Sequence, residues 1–234
     1  MADERHQLSP GQCKALLDWI ESGESEATAS LGYQGSVRTY QGPAGAFVIK
    51  APAGRGLRRI LGRAAIRREE HVYGRLRGIP GIPECYGRIG GQYLVLAHIP
   101  GGTLHARESD LRDREKYFAG LLATLRKMHD AGVAHGDLKR KRNILVGPGE
   151  QPFVIDFGIA VLANGQRGFL FELVRQVDRN AWVKHKYRGQ MNDIAVEDAP
   201  LYKPMRSESL MRVLRTAWHA ATLRRWRKRR RRAI

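Results

Sequence analysis

The chain is poor in cysteine, in acidic side chains and in long apolar runs. Its two cysteines, Cys13 and Cys85, lie far apart, with no Cys-x-x-Cys pair and no histidine at ligand spacing. Neither a disulfide framework nor a zinc site fits that pattern, and both residues are expected to be buried thiols. No apolar run approaches the roughly 18 residues a membrane-spanning helix needs, and the polar start Met1-Ala2-Asp3-Glu4-Arg5 lacks the apolar region of a secretory signal. A cytoplasmic location is the expectation. Disorder is excluded too, because 42% hydrophobic residues and four tryptophans in 234 residues supply a real core for one large or two small domains.

The shortage of acid leaves 41 Lys and Arg against 23 Asp and Glu, a net charge of +18 that attracts phosphate-rich or anionic partners. Basic residues crowd between Arg224 and Arg232, and a second cluster comprises Arg55, Arg58, Arg59, Arg63, Arg67 and Arg68. The second cluster reads as a solvated helix face.

The N-terminal half contains a helix, then strands, then a helix. Ser9-Pro10-Gly11-Gln12 supplies a cap, a first-turn proline and a capping-box Gln for a helix running to about Glu21, built on Leu16, Leu17, Trp19 and Ile20. Two strands follow, 32–40 and 46–50, with a turn at Gly42-Pro43-Ala44-Gly45. Residues 57–76 are predicted helical, with Leu57, Leu61, Ala64, Val72, Tyr73 and Leu76 as one apolar stripe. After the breaker Gly78-Ile79-Pro80-Gly81-Ile82-Pro83, strands 84–89 and 92–99 flank a Gly90-Gly91 turn. A long helix is expected over 110–131, burying Phe118, Leu121, Leu122, Leu125 and Met128 and ending at Gly132.

The stretch that organises the rest lies between Val133 and Ala160. Strands 143–146 and 153–155 are joined by the hairpin-forming residues Gly147-Pro148-Gly149-Glu150. His135, Asp137 and Asn143 border the first strand and Asp156 follows the second. Closing the hairpin therefore brings two carboxylates and an amide together, which is a metal and phosphate site in outline.

His135-Gly136-Asp137-Leu138, then Asn143-Ile144-Leu145, then Ile155-Asp156-Phe157-Gly158 is similar to the catalytic loop and D-F-G of protein-kinase-like phosphotransferases. The resemblance implies that Asp137 accepts the acceptor hydroxyl's proton, that Asn143 and Asp156 bind Mg2+, and that His135 braces the loop. One departure stands out: five residues separate Asp137 from Asn143 where the family has four, so the loop must bulge. Gly32, Gly35 and Val37 match the last part of the family's glycine-rich loop, with Ser30 where the first glycine would be, and Phe47-Val48-Ile49-Lys50 matches V-A-I-K. Lys50 is then the candidate for the ATP phosphates, with Glu69 as its partner and Glu70 the adjacent alternative. Tyr93 to Leu104 resembles a hinge in which Leu96 is the gatekeeper and the backbone from Ala97 to Ile99 reads adenine. The resemblance covers some two-thirds of the chain.

The expected fold is therefore α+β: a two-lobed protein-kinase-like fold with a truncated C-terminal lobe and no long activation segment. Its divisions are a helical extension (1–29), a sheet-rich lobe (30–97), a helical lobe (98–200) and a basic tail (201–234). Helix-forming residues return soon after Gly158 and no A-P-E motif appears. Compact bacterial lipopolysaccharide-core (Kdo/heptose) sugar kinases and RIO-type atypical serine/threonine kinases share that pattern, so the acceptor is expected to be a core sugar or a protein Ser/Thr. The rival readings are a pseudokinase that binds nucleotide without turnover and a basic adaptor for nucleic acid or membrane.

The tail carries its own expectation. Leu210, Val213, Leu214, Ala217, Trp218 and Ala221 form a helical stripe that stops where Arg224, Arg225 and Lys228 would continue it. The remainder, with Trp226 among the charges, is expected to bind an anionic membrane surface, at the inner face of the cell membrane, at about 1 kcal/mol per basic residue. Truncation after Thr222 should release the protein from anionic liposomes at moderate salt. A full-length protein that ignores such liposomes but shifts RNA in a gel would assign the tail to nucleic acid.

Overall fold

A computed structural model describes residues 7–22, 30–32, 35–52, 56–163 and 168–204. The connector 23–29, the tip of the glycine-rich turn at 33–34 and the basic tail from 205 lie outside the described residues. The fold is α+β.

Helix α1 (Pro10–Ser22) begins as its capping box dictates. The Ser9 N–H donates to the Gln12 side chain at 2.9 Å and the Gln12 N–H donates back to Ser9 Oγ at 3.2 Å. Such a reciprocal cap is worth about 1 kcal/mol. Leu16 is fully buried and packs with Tyr40, Phe47, Ile49, Ile89 and Val95, so α1 covers one face of the sheet. The Arg38 guanidinium lies 4.3 Å over the Trp19 ring.

That sheet has five antiparallel strands: β1 (Ser30–Gly32), β2 (Gly35–Gly42), β3 (Gly45–Pro52), β4 (Cys85–Ile89) and β5 (Tyr93–Ala97). Their spatial order is β1-β2-β3-β5-β4. The register sets Val37 opposite Lys50 and Lys50 opposite Leu94. Ile89 pairs with Tyr93, so the expected two-glycine turn is a three-residue loop that includes Gln92.

Helix α2 (Leu57–Arg75) lies against the sheet, and Val72, Tyr73 and Leu76 of the expected stripe are buried whereas Leu61 and Ala64 of it are exposed. Ile60 and Leu61 are exposed, at 62% and 39%, and the buried face consists of Ile66, Glu69, Val72, Tyr73 and Leu76. Burying a glutamate here is tolerable only because a cation meets it, as shown below. Cys13 and Cys85 are half-buried free thiols, not fully buried ones, and burial pushes the Cys85 thiol up to about 11.

The chain then passes through Gly101, whose φ of +131° and position only a glycine satisfies: a Cβ there would stand 2.1 Å from the Val146 carbonyl oxygen. It continues into β6 (Gly102–Thr103), α3 (Leu104–Arg107), α4 (Arg114–Asp130), β7 (Val133–Ala134), β8 (Ile144–Val146), β9 (Pro152–Val154), β10 (Val161–Leu162) and α5 (Phe169–Lys186). Helix α4 starts later than 110, because Asp113 is the residue that caps it, accepting from the Lys116 N–H at 2.9 Å. Asp110 instead closes a short 3-10 turn. Tyr117 is fully buried on α4, whereas Leu122 is only half so.

One core runs from α2 and β5 through α4 to α5, with Phe118, Leu121, Met128, Phe157 and Trp182 at its centre. The Trp182 indole N–H donates to the Phe118 carbonyl at 2.8 Å, fixing α5 on α4. Trp182→Ala should therefore lower the free energy of unfolding by about 3–5 kcal/mol, and Trp182→Phe by about 1–3 kcal/mol, through the orphaned carbonyl and lost area. Urea denaturation checks both, and a loss below 1 kcal/mol for the alanine variant would contradict this packing.

Candidate active site

Lys50 sits in the middle of β3, between cross-strand neighbours Val37 and Leu94, so its side chain leaves the sheet toward α2. Its amine is 2.5 Å from Glu69 Oε1 and 3.2 Å from Asp156 Oδ1. Its side chain is only 15% exposed. Burial by itself would depress the amine, but Glu69 and then Asp156 outweigh it and hold the amine above its ordinary range. Glu70, the alternative partner, turns the other way and pairs with Arg88 Nε at 2.5 Å.

Asp156 follows β9 with φ of +68°, in the left-handed region that few residues other than glycine enter. An outlier of this kind persists only where the surroundings over-determine it. Burial would raise its carboxyl, yet the Lys50 amine brings it below the usual carboxylate range. The side chain remains 48% exposed, so it faces open space beyond Lys50.

The loop between β7 and β8 brings the other residues in. His135 is fully buried; its Nε2 donates to the Ile155 carbonyl at 2.9 Å while its Nδ1 accepts from the Asp137 N–H at 3.2 Å. One imidazole thus ties both sides of the hairpin, and its ring lies tilted against Phe157 with centroids 5.0 Å apart. Asp137 is mostly buried, which pushes its carboxyl up, against the pull of the neighbouring Arg140. Arg140 Nη1 stands 3.2 Å from Asp137 Oδ2.

The extra residue before Asn143 is absorbed as a 3-10 turn over Lys141–Asn143. Lys141 ion-pairs with Glu108 and so anchors the turn, and Arg114 holds Glu108 from the other side at 2.9 Å. Asn143 consequently ends where its amide reaches Asp137, donating to the Asp137 carbonyl at 3.1 Å and to Oδ2 at 3.3 Å. The strand begins one residue later than its sequence pattern suggests, at Ile144.

Val37 lies half-buried opposite Lys50, and Gly32 pairs with Gly35 at the end of the β1–β2 hairpin. Ala97 ends β5, its N–H donating to the Glu84 carbonyl at 2.8 Å, and Ile99 is half-buried close to Gly147. These residues belong to the five-stranded sheet and to the chain that leaves it after β5.

Three residues of the site escaped sequence reading. Asp178, fully buried on α5, accepts from the His135 N–H at 2.7 Å, the Gly136 N–H at 2.8 Å and His129 Nε2 at 3.1 Å. An aspartate on the apolar face of a helix, between Val177 and Ala181, was the available signal. His185 donates from Nε2 to the Leu138 carbonyl at 2.8 Å, and burial pushes its imidazole down, as suits a neutral donor. Arg68, assigned to a solvated face, instead reaches the carbonyls of Gly158 and Ala160.

Among the described residues no three His, Cys, Asp or Glu side chains are spaced to hold a metal by themselves. A Mg2+ that completes its shell with phosphate oxygens and water needs only one or two carboxylates, and Asp156 and Asn143 are oxygen donors of the type such an ion takes. Among the described residues, no helix is long and apolar enough to cross a membrane.

No protein-family model matches the chain. A stretch of 76 residues, 30% of the chain, is 34% identical to Serine/threonine-protein kinase grp of Drosophila melanogaster. The match spans 15% of that relative's length. The chain is therefore similar, over this stretch, to a serine/threonine kinase.

The Lys50–Glu69 pair is the more buried of the two adjacent glutamate pairs. Glu69→Gln should cost about 1.5–3 kcal/mol of stability in chemical denaturation, and Glu70→Gln, whose pair is more open, about 1 kcal/mol or less. The reverse ranking would place α2 in the wrong register.

Proposed function

We propose that the protein is an ATP- and Mg2+-dependent phosphotransferase of the protein-kinase-like type. In this reading residues 30–97 form the first lobe and 98–200 a truncated second lobe, with 1–29 and 201–234 as extension and tail, and ATP binds between the lobes. The observation that carries it is the Lys50 amine held by Glu69 and Asp156, with Asp137 and Asn143 joined on the facing loop. The partial likeness to a serine/threonine kinase supports the same class.

In the reaction the acceptor hydroxyl oxygen forms a bond to the γ-phosphorus as the bond from that phosphorus to the β,γ-bridging oxygen breaks, leaving ADP. Asp137 takes the hydroxyl proton. Asp156 and Asn143 would hold a Mg2+, which would supply neutralisation of the phosphate charge. Lys50 holds the α- and β-phosphates, Glu69 keeps Lys50 in place, and Val37, Gly32 and Gly35 cover the nucleotide. The backbone of Ala97 and Ile99 meets adenine's edge. His135 keeps the loop's geometry. Catalysis is mostly positioning and electrostatics.

A nucleotide-binding scaffold without turnover is the weaker reading, because the inserted residue that would argue for it leaves Asn143 in contact with Asp137. The acceptor is a hydroxyl on a lipopolysaccharide core sugar or on a protein Ser/Thr, and the basic tail is assigned to an anionic membrane surface, with nucleic acid as its rival.

Purified protein with labelled ATP and Mg2+, incubated with cell extract split into lipid-glycan and protein fractions, should label one fraction. Asp137→Asn and Lys50→Met should each lower that labelling by about 10²-fold or more, the former still binding Mg-ATP. Asp156→Asn, which removes a metal ligand, should abolish the transfer. Near wild-type turnover in Asp137→Asn would remove the assigned base.

A further inference from the structure

The segment that follows Asp156 is held from outside by two arginines of α2. Arg68 donates from Nη1 to the Gly158 carbonyl at 3.1 Å and from Nη2 to the Ala160 carbonyl. Seven residues along, Arg75 Nη1 donates to the Ala163 carbonyl at 3.2 Å. A seven-residue step is close to two helical turns, so both guanidinium groups leave the same side of α2. Glu69 and Tyr73 lie beside them, the first on Lys50 and the second edge-on to Phe157 at 5.1 Å.

The segment has a second fastening on its other edge. Val161 and Leu162 pair antiparallel with Ala134 and Val133, and the Ala163 N–H donates to the Gly132 carbonyl at 2.9 Å. Segment 158–163 is thus bonded to β7 on one side and to α2 on the other. A guanidinium suits the α2 side, since its forked, always-charged N–H groups reach two carbonyls at once and charged donors make the stronger hydrogen bonds.

The sequence supplies an independent fact. From Phe157 to Lys186 there is no serine, threonine or tyrosine. A segment ordered by phosphorylation needs a hydroxyl to carry the phosphate and a free arginine to receive it. This one has no such hydroxyl, and its arginines already bond main-chain carbonyls.

We propose that Arg68, assisted by Arg75, is a positioning residue that fixes the loop carrying Asp156 to α2, and that this latch keeps the site assembled without phosphorylation of the segment. The inference rests on the phosphotransferase reading for its activity readouts and on geometry alone for its structural one. Because Arg68 neighbours Glu69, the same movement of α2 that releases Lys50 also releases Gly158. The latch therefore couples the Lys50 pair to the metal-facing carboxylate.

The test uses full-length protein. Arg68→Ala should lower kcat about tenfold, raise the Mg2+ concentration needed for half-maximal turnover, and speed amide hydrogen exchange in residues 157–163 while α4 and α5 exchange as before. Arg68→Lys should recover part of the loss, since one ammonium reaches one carbonyl, and it carries the test if the alanine variant does not fold. A broad-specificity phosphatase should leave wild-type turnover unchanged. Unaltered Mg2+ requirement and unaltered exchange in the Arg68 variants would overturn the latch, and so would inactivation by the phosphatase. If the wild type transfers no phosphoryl group from Mg-ATP, the phosphotransferase reading falls while the exchange measurement still decides the latch.

Discussion

The Lys50 amine, sharing its charge between Glu69 and Asp156, is the interaction on which the rest depends. It joins three separate pieces of chain: β3, α2 and the loop after β9. Lys50 or Glu69 alone would be costly to bury there, because a desolvated charge without a counter-charge is expelled or neutralised, whereas Asp156 is half exposed. Together they compensate one another. The pairing therefore requires that α2 lie close to the sheet and that Asp156 turn toward it, which is the role of its left-handed backbone.

A second buried charge organises the loop between β7 and β8. Asp178 uses both carboxylate oxygens on N–H groups of His135, Gly136 and His129, so the loop bearing Asp137 is fixed to α5 by charge-assisted hydrogen bonds. Gly136 adopts φ of +80° and passes Val174 of α5 closely, a path that a side chain would obstruct. His135 links this loop to β9's end through the Ile155 carbonyl and, by its ring, to Phe157. From Asp178 to Tyr73 the contacts form a continuous column of His135, Phe157 and Tyr73. Sheet, α2 and α5 are thereby mechanically connected through the candidate site itself.

The charges of the chain also divide by role. Arg68, Arg114 and Lys141 are inward-facing cations, each bonded to main-chain carbonyls or to Glu108. Arg59 and Arg63, by contrast, are exposed and donate to the half-buried Gln92 side chain. Among the described residues, the basic side chains thus include some that hold loops and others that face solvent. The extra residue before Asn143 is accommodated by the first kind, through Lys141 and Glu108.

Much of this was legible from the residues alone. Capping residues, hairpin turns and apolar strands are local signals, so α1, the β2–β3 hairpin, the β8–β9 hairpin and the order of Lys50, Asp137, Asn143 and Asp156 could be read directly. The choice of Glu69 over Glu70 could be proposed from its spacing to Val72, Tyr73 and Leu76, and the geometry agrees. What only the tertiary structure decided depends on groups far apart in sequence. The inward turn of Arg68 needs the carbonyls of Gly158 and Ala160, some ninety residues on. The burial of Asp178 needs the N–H groups of a loop more than forty residues before it. Local patterns determine which side chains share a face; whether a charge on that face is solvated or buried is decided by the partner that folding brings to it.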